Sequence, residues 1–219
     1  MVVWCPDWSV VAALEEAAAP PRAPAAVLRA NVVEVCNGPA RAEGVRRGQR
    51  RRDAQARCPE LLLLPANPER DARAFEPVLA TVEDLRPGVA ALRPGLLAVR
   101  APGSWYGTEE KAAATVSQAV VETGVWDVRT GIADDLFTAE QAARGAASQE
   151  WTVVPPGGAP AYLRDLPVTL VADDGPRGRE LVDLLRRLGL RTLGDLADLP
   201  ADAVEHRLGD YGAAVRRRA

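Results

Sequence analysis

The sequence predicts an α+β fold, a layered sheet-and-helix body followed by a small helical domain. Three observations predict it. Over the first 150 or so residues, short apolar runs of strand length alternate with longer runs of helical periodicity. Composition then shifts at Val154-Pro-Pro-Gly-Gly-Ala-Pro160, which reads as a linker. Beyond that point only helical spacing is visible. A chain of 219 residues, 47% hydrophobic and 26% charged, is ordinary globular material that buries one core, or one core and an appendage.

Val2 to Cys5 reads as a strand, and Asp7 stands where a cap for a helix from Trp8 to about Ala18 is expected. Pro20, Pro21 and Pro24 break the chain. Strands follow at Ala26 to Arg29 and Val32 to Cys36, joined tightly by Ala30-Asn31. Gln49 to Arg57 looks helical and stops before Cys58-Pro59. Leu61 to Leu64 is a short buried strand.

A long helix is expected from Pro68 to Leu85, with Phe75, Val78, Leu79 and Val82 on one face. Gly88 to Arg93 and Leu96 to Arg100 form a strand pair around Pro94-Gly95. Glu109 to Glu122 is a second amphipathic helix, turning Ala112, Val116, Ala119 and Val120 inward. Val125 to Ile132 alternates like a strand, and Asp134 to Arg144 is helical. Strand-helix, strand pair, helix-strand is the order of a ferredoxin-like domain with an insertion after its first helix. In the C-terminal part, Leu181, Leu184, Leu185 and Leu188 make an apolar stripe. A short helix follows within Leu190 to Pro200, capped by Thr192, and Asp174 is the expected cap of the helix before it.

The apolar runs are too short to span a bilayer, and Met1 leads straight into a strand with no targeting signal, so a cytoplasmic protein is expected. Cys5, Cys36 and Cys58 have no paired spacing, which excludes a zinc motif or a disulfide framework. His206 is isolated, and Cys5 has no identifiable base beside it. A net charge of −3 gives no global attraction to nucleic acid, so any such binding rests on local patches. The first is Arg46, Arg47, Arg50, Arg51, Arg52 and Arg57, which fits either a DNA-binding surface or a solvated face. The second is Arg216-Arg217-Arg218. No aromatic residue interleaves the first cluster. Lys111 is the only lysine, an arginine bias that a GC-rich coding sequence also produces. Trp105-Tyr106, in a glycine-flanked turn, is a candidate docking element.

The stretch from Asn37 to Gln49 contains Asn-Gly-Pro-Ala-Arg-Ala-Glu-Gly-Val and runs on to Cys58-Pro59 before an apolar strand. It resembles the fingers segment of Y-family (UmuC/DinB-type) DNA polymerases. Leu166-Pro167-Val168 and Leu188-Gly-Leu-Arg-Thr-Leu-Gly-Asp-Leu196 resemble the thumb of the same polymerases. The resemblance implies a palm with a fingers insertion over residues 1–158, the fingers lying at about 20–66. It implies a helix-hairpin-helix thumb over 159–219, and the little-finger domain is expected to be absent.

In that family, carboxylates on the first strand and at the central hairpin hold the two metal ions of nucleotidyl transfer. Here Cys5 takes the leading acid position, a soft ligand poorly suited to magnesium. Asp7 falls on the less critical second position, and Pro94 and Gly95 replace both hairpin carboxylates. The fingers tyrosine is Gly38, while its neighbouring arginine survives as Arg41, a remnant of nucleotide binding. The family's two lysines after the third palm strand become Leu136 and Glu140, and Asp134 and Asp135 add negative charge nearby. Aromatic residues that pack under the incoming sugar become Ser9 and Val10. The hairpin at residues 172–176 carries acids where a phosphate normally binds.

The pattern is similar to the catalytically defective ImuB-type branch, which carries Trp-Cys-Pro-Asp-Trp and Leu-Arg-Pro-Gly signatures. This resemblance implies a non-catalytic adapter in damage-induced translesion synthesis, with no cofactor. Its implied partners are DNA, a mutagenesis accessory protein, an error-prone replicative polymerase and the sliding clamp, with clamp and partner motifs expected to lie outside this chain. The alternative is a translesion polymerase with atypical ligands for Mg2+.

Overall fold

The computed structural model describes residues 1–101, 107–171 and 175–219. Its N-terminal elements are β1 (Val2–Trp4), α1 (Trp8–Glu16), β2 (Ala25–Arg29), β3 (Val32–Cys36), α2 (Gly38–Ala42), α3 (Arg51–Arg57) and β4 (Leu62–Pro65). The middle holds α4 (Pro68–Leu85), β5 (Ala90–Arg93), β6 (Leu96–Ala98), α5 (Glu109–Glu122), β7 (Arg129–Ile132), α6 (Leu136–Gly145) and β8 (Trp151–Val153). The last part is helical: α7 (Ala159–Leu163), α8 (Pro176–Arg187), α9 (Leu193–Ala197) and α10 (Ala201–Arg216), with a 3-10 turn at Val168–Val171.

Five strands form one sheet in the order β5-β6-β1-β7-β8. β1 runs antiparallel to β6 and β7, and β8 pairs parallel to β7. The first four strands, with α1 and α5, follow the ferredoxin-like order, and β8 widens the sheet at one edge. Alternation along β1 divides its side chains between two faces. Val3 and Cys5 pack with Trp8, Phe75, Val78, Val82 and Val116 of α1, α4 and α5, whereas Val2 meets Ala139 and Ala143 of α6. Gly131 explains how α6 lies so close: a Cβ there would sit 2.0 Å from the Ala139 carbonyl oxygen.

The segment after α1 builds a separate three-stranded sheet, β3-β2-β4. Ala30 and Asn31 both take positive φ, 49° and 62°, which closes the β2–β3 hairpin in a two-residue turn. Ala26, Val33, Ala40, Val45 and Ala54 form its small core. A third cluster gathers Leu163, Val168, Leu181, Leu185, Leu193 and Leu196 from the last helices, and Phe137 of α6 packs against it. Thr192 caps α9 in a full capping box with Asp195.

Several expectations are revised. Asp7 sits at the start of α1 with φ 54° and makes no side-chain cap, because its carboxylate is engaged elsewhere. Helix α1 ends at Glu16, α3 begins at Arg51 and β7 begins only at Arg129. Leu188 is 58% exposed as the C-cap of α8, so it is not part of the buried stripe. Helix α2 and strand β8 add elements that the apolar pattern does not announce. Trp105-Tyr106 and Asp174 lie outside the described residues. No helix among the described residues is long and apolar enough to cross a membrane.

Candidate functional site

The end of β1 and the β5–β6 turn meet at one corner. The Cys5 amide donates to the Gly95 carbonyl oxygen at 2.8 Å, continuing the β1–β6 ladder to the turn. Gly95 holds φ 82°, and a Cβ added to it would lie 2.4 Å from Trp8 Cβ and 2.9 Å from the Cys5 carbonyl oxygen. The turn is therefore packed down onto the first residue of α1, and no side chain fits at position 95 without rearrangement.

Trp8 fills that space. It is only 6% exposed, stands edge-on to Phe75 with ring centroids 5.0 Å apart, and donates from Nε1 to the Asp71 carbonyl oxygen at 2.8 Å. Beneath it, Cys5 is 1% exposed. Burial, with Asp127 adding to it, pushes the thiol up to about 12, so the buried Cys5 side chain favours the neutral thiol.

The acid of this corner is also occupied. Asp7 accepts two hydrogen bonds from Arg41, both 2.8 Å, in a bidentate fork–fork pair. Arg41 also donates to the Cys36 carbonyl oxygen. The hydrogen bond to Asp7 is the main cause that raises the Arg41 guanidinium above its ordinary value. Asn37 explains why Arg41 arrives there. Its Oδ1 accepts from Ala40 N and Ala25 N while Nδ2 donates to Ala23 O, so it caps α2 and ties it to β2. Arg41 and Asp7 thus satisfy each other across the two sheets.

Around the start of α6, polar groups are likewise committed. Asp135 caps α6 through Thr138 N at 2.9 Å, and Asp134 accepts from Gly157 N at 2.7 Å. These two acids brace the helix and the loop beyond β8. Glu140 accepts from Arg93 at 3.1 Å and from Arg144 at 2.8 Å. Arg144 and Arg129 flank the Trp4 ring at 4.9 and 5.3 Å, and Arg129 pairs with Asp127. Leu136 is 49% exposed at the first turn of α6. Val10 is fully buried, and Ser9 lines a cleft of about 240 Å³ between the two sheets, with Val27, Arg29, Glu34, Asn67 and Arg93.

Two magnesium ions require several free, hard oxygen ligands. Cys5, Asp7, Pro94 and Gly95 supply a buried thiol, an ion-paired carboxylate, and two residues with no ionisable side chain, and there is no space for a larger group at Gly95. The corner does not fit a two-metal centre. Among the described residues no three His, Cys, Asp or Glu side chains converge in a metal-holding group.

Sequence reasoning missed the most heavily bonded charge of the region. Arg70 is 4% exposed and donates to Asp71 at 2.7 and 3.0 Å, to the Pro65 and Ser9 carbonyl oxygens, and to Glu16. It ties α1, β4 and α4 together directly behind Trp8. A charged pair at the start of a helix looks like solvent-facing material in a sequence, and no local signal marks it as buried. Arg46, Arg47, Arg50, Arg51, Arg52 and Arg57, by contrast, are all exposed, on α3 and the turn before it.

The chain matches the model of the impB/mucB/samB family over residues 9–144. It is 28% identical over 186 residues to DNA polymerase IV of Ralstonia nicotianae, covering 84% of this chain and 51% of that protein. It is also 28% identical to DNA polymerase IV 2 of Mesorhizobium japonicum, covering 81% and 43%. The chain spans about half the length of the curated relatives it matches. Its fold superposes on a Dbh ternary complex with TM-score 0.79 at 19% identity, over 100% of this chain and 66% of that one. The DinB crystal structure from Sulfolobus solfataricus gives 0.75 at 18% identity, over 99% and 67%. With more than half its length matched to the family model and an α+β fold that follows these polymerase cores throughout, the chain belongs to the impB/mucB/samB family and is a Y-family DNA polymerase homologue.

Proposed function

We propose that this chain is a non-catalytic Y-family polymerase homologue that serves as an adapter in DNA-damage-induced translesion synthesis and repair. In this reading residues 1–158 are a palm with its fingers insertion and residues 159–219 a thumb. The observation that carries it is the corner between β1 and the β5–β6 turn: a thiol held protonated, an acid paired to Arg41, and a glycine turn with Trp8 in the space a metal-binding side chain needs. Phosphoryl transfer in a polymerase is driven by metal-stabilised charge and positioning. With those groups gone, what a polymerase body retains is shape and surface.

The adapter role aligns the chain with the ImuB-type branch. Its partners are then DNA, a mutagenesis accessory protein, an error-prone replicative polymerase and the sliding clamp. A second reading is favoured by the names of the relatives, which are DNA polymerases IV: an active polymerase using atypical ligands for Mg2+. Primer extension separates the two. With Mg2+ or Mn2+, a primed template and all four nucleotides, the chain is expected to extend no primer, while a DNA polymerase IV run alongside does. Extension by this chain above the level of a boiled control overturns the adapter reading.

A further inference from the structure

One face of the five-stranded sheet is only half covered. Helix α6 packs on β7, β1 and β8, where Ala139 and Ala143 meet Val2 and Leu96. The outer strand β5 has no such cover, and Ala90 to Arg93 are all exposed. Cross-strand partners share a face. Ala90, opposite Ala98, and Arg93, opposite Leu96, therefore lie on the side that carries α6. Arg93 reaches over to Glu140 of α6 at 3.1 Å. Leu92 precedes Arg93 where the register shifts, and Leu136 stands one turn before Glu140. These leucines are two of the six large apolar side chains exposed among the described residues. The fold sets them on either side of one ion pair.

Two acids at the start of α6 complete the surface. Asp134 and Asp135 are exposed, and their carboxylates accept from the Gly157 amide and from the amide and hydroxyl of Thr138. Among the described residues no cation pairs with either. Two unanswered carboxylates beside an exposed leucine repel phosphate and attract a basic group. This charge favours a protein occupant over a nucleic acid.

We propose that this half-open face docks an amphipathic helix of a partner protein, with a basic end set against Asp134 and Asp135. Strand spacing gives the helix its place. Packed helices lie about 8 to 10 Å apart, and strands about 4.8 Å. A helix laid beside α6, which sits over β1 and β7, therefore falls two strands away, over β5 and β6. Ala90 and Ala98 give it a low floor there, as Gly131 does for α6. Leu136 and Leu92 meet its apolar stripe from the two sides. The proposal rests on the adapter reading and names the kind of partner contact that reading requires.

The test is fluorescence anisotropy of the whole chain with a labelled, end-capped helical peptide of about 15 residues. The peptide carries leucines along one face and lysines at one end, and its control carries glutamates in place of the lysines. Leu92→Ser and Leu136→Ser are each expected to weaken binding about tenfold. Asp134→Asn/Asp135→Asn, which keeps the helix cap, is expected to weaken it about threefold, a difference lost by about 1 M salt. Leu170→Ser and Leu188→Ser, equally exposed leucines elsewhere, should leave binding unchanged. If Leu136→Ser loses its helical circular dichroism, Leu92→Ser carries the test. No binding by the parent chain, equal binding of the glutamate peptide, or equal losses at Leu170 and Leu188 each overturn the proposal. So does displacement of the peptide by a short DNA duplex, or self-association of the parent chain in sedimentation that Leu92→Ser abolishes. Primer extension reads the adapter proposal separately, so either can fail alone.

Discussion

The corner at Cys5 and Gly95 and the arginine surface on α3 belong to the same chain, yet treat charge in opposite ways. At the corner each polar group has a resident partner or a dry environment: the thiol is buried, Asp7 is held by Arg41, and Glu140 by Arg93 and Arg144. On α3 the cations face water with few protein groups to answer them. Catalytic sites keep charges unsatisfied and preorganised until substrate arrives. At this corner the charges are answered, while on the α3 surface they face solvent. The difference teaches that the corner holds more than residues without carboxylates: it is filled by Trp8 and its acid is paired, so it contributes to stability.

The largest way to break this comparison is to reopen the corner from behind. Arg70→Ala leaves the Asp71 carboxylate buried and unpaired and frees the Ser9 and Pro65 carbonyl oxygens. Removing one partner of a buried pair destabilises by about 3 to 5 kcal/mol. Urea denaturation followed by circular dichroism should show a loss of that size. A loss below about 1 kcal/mol means the pair behaves as a surface contact and the corner is not a packed unit.

How far this was legible in the sequence differs by element. Helices α4 and α5 have the limits that the sequence predicts, because Asn67 and Thr108 cap strong 3.6-residue periodicity. Helix α2 was hidden because Gly38-Pro39 reads as a break, although proline at the first turn is compatible with a helix. β8 has three residues and exists through parallel pairing with β7, a non-local contact that no local pattern encodes. That Cys5, Pro94 and Gly95 carry no carboxylate is readable as letters. That Trp8 lies against Gly95 where a side chain would project, and that Asp7 prefers Arg41, 34 residues away, to its own helix start, follows from tertiary packing alone.

The middle-sized effect sharpens the packing claim. Gly95→Ala must accept a left-handed φ of 82° and a Cβ 2.4 Å from Trp8 Cβ. Gly88→Ala meets the same backbone demand, φ 94°, with nothing within 4 Å. The left-handed conformation alone costs about 1 to 2 kcal/mol. Gly95→Ala is expected to lose about 1 to 2 kcal/mol more than Gly88→Ala, the excess measuring the overpacking. Equal losses show that the turn has room for a side chain at position 95.

The smallest effect is the most informative about the corner's charge. Asp7 and Arg41 have side chains 19% and 45% exposed, so solvent screens their attraction. Asp7→Asn keeps the shape and removes the charge, and should cost under about 1 kcal/mol in a denaturation measured at low salt. Its main consequence is electrostatic. Arg41 loses the carboxylate that occupies its fork and becomes able to receive an anion, while keeping its hydrogen bond to the Cys36 carbonyl oxygen. Titration with inorganic triphosphate, followed by the shift in thermal midpoint, is then expected to stabilise Asp7→Asn more than the parent chain. If the two respond alike, Arg41 is not held out of use by Asp7, and the pairing is incidental to the corner's state.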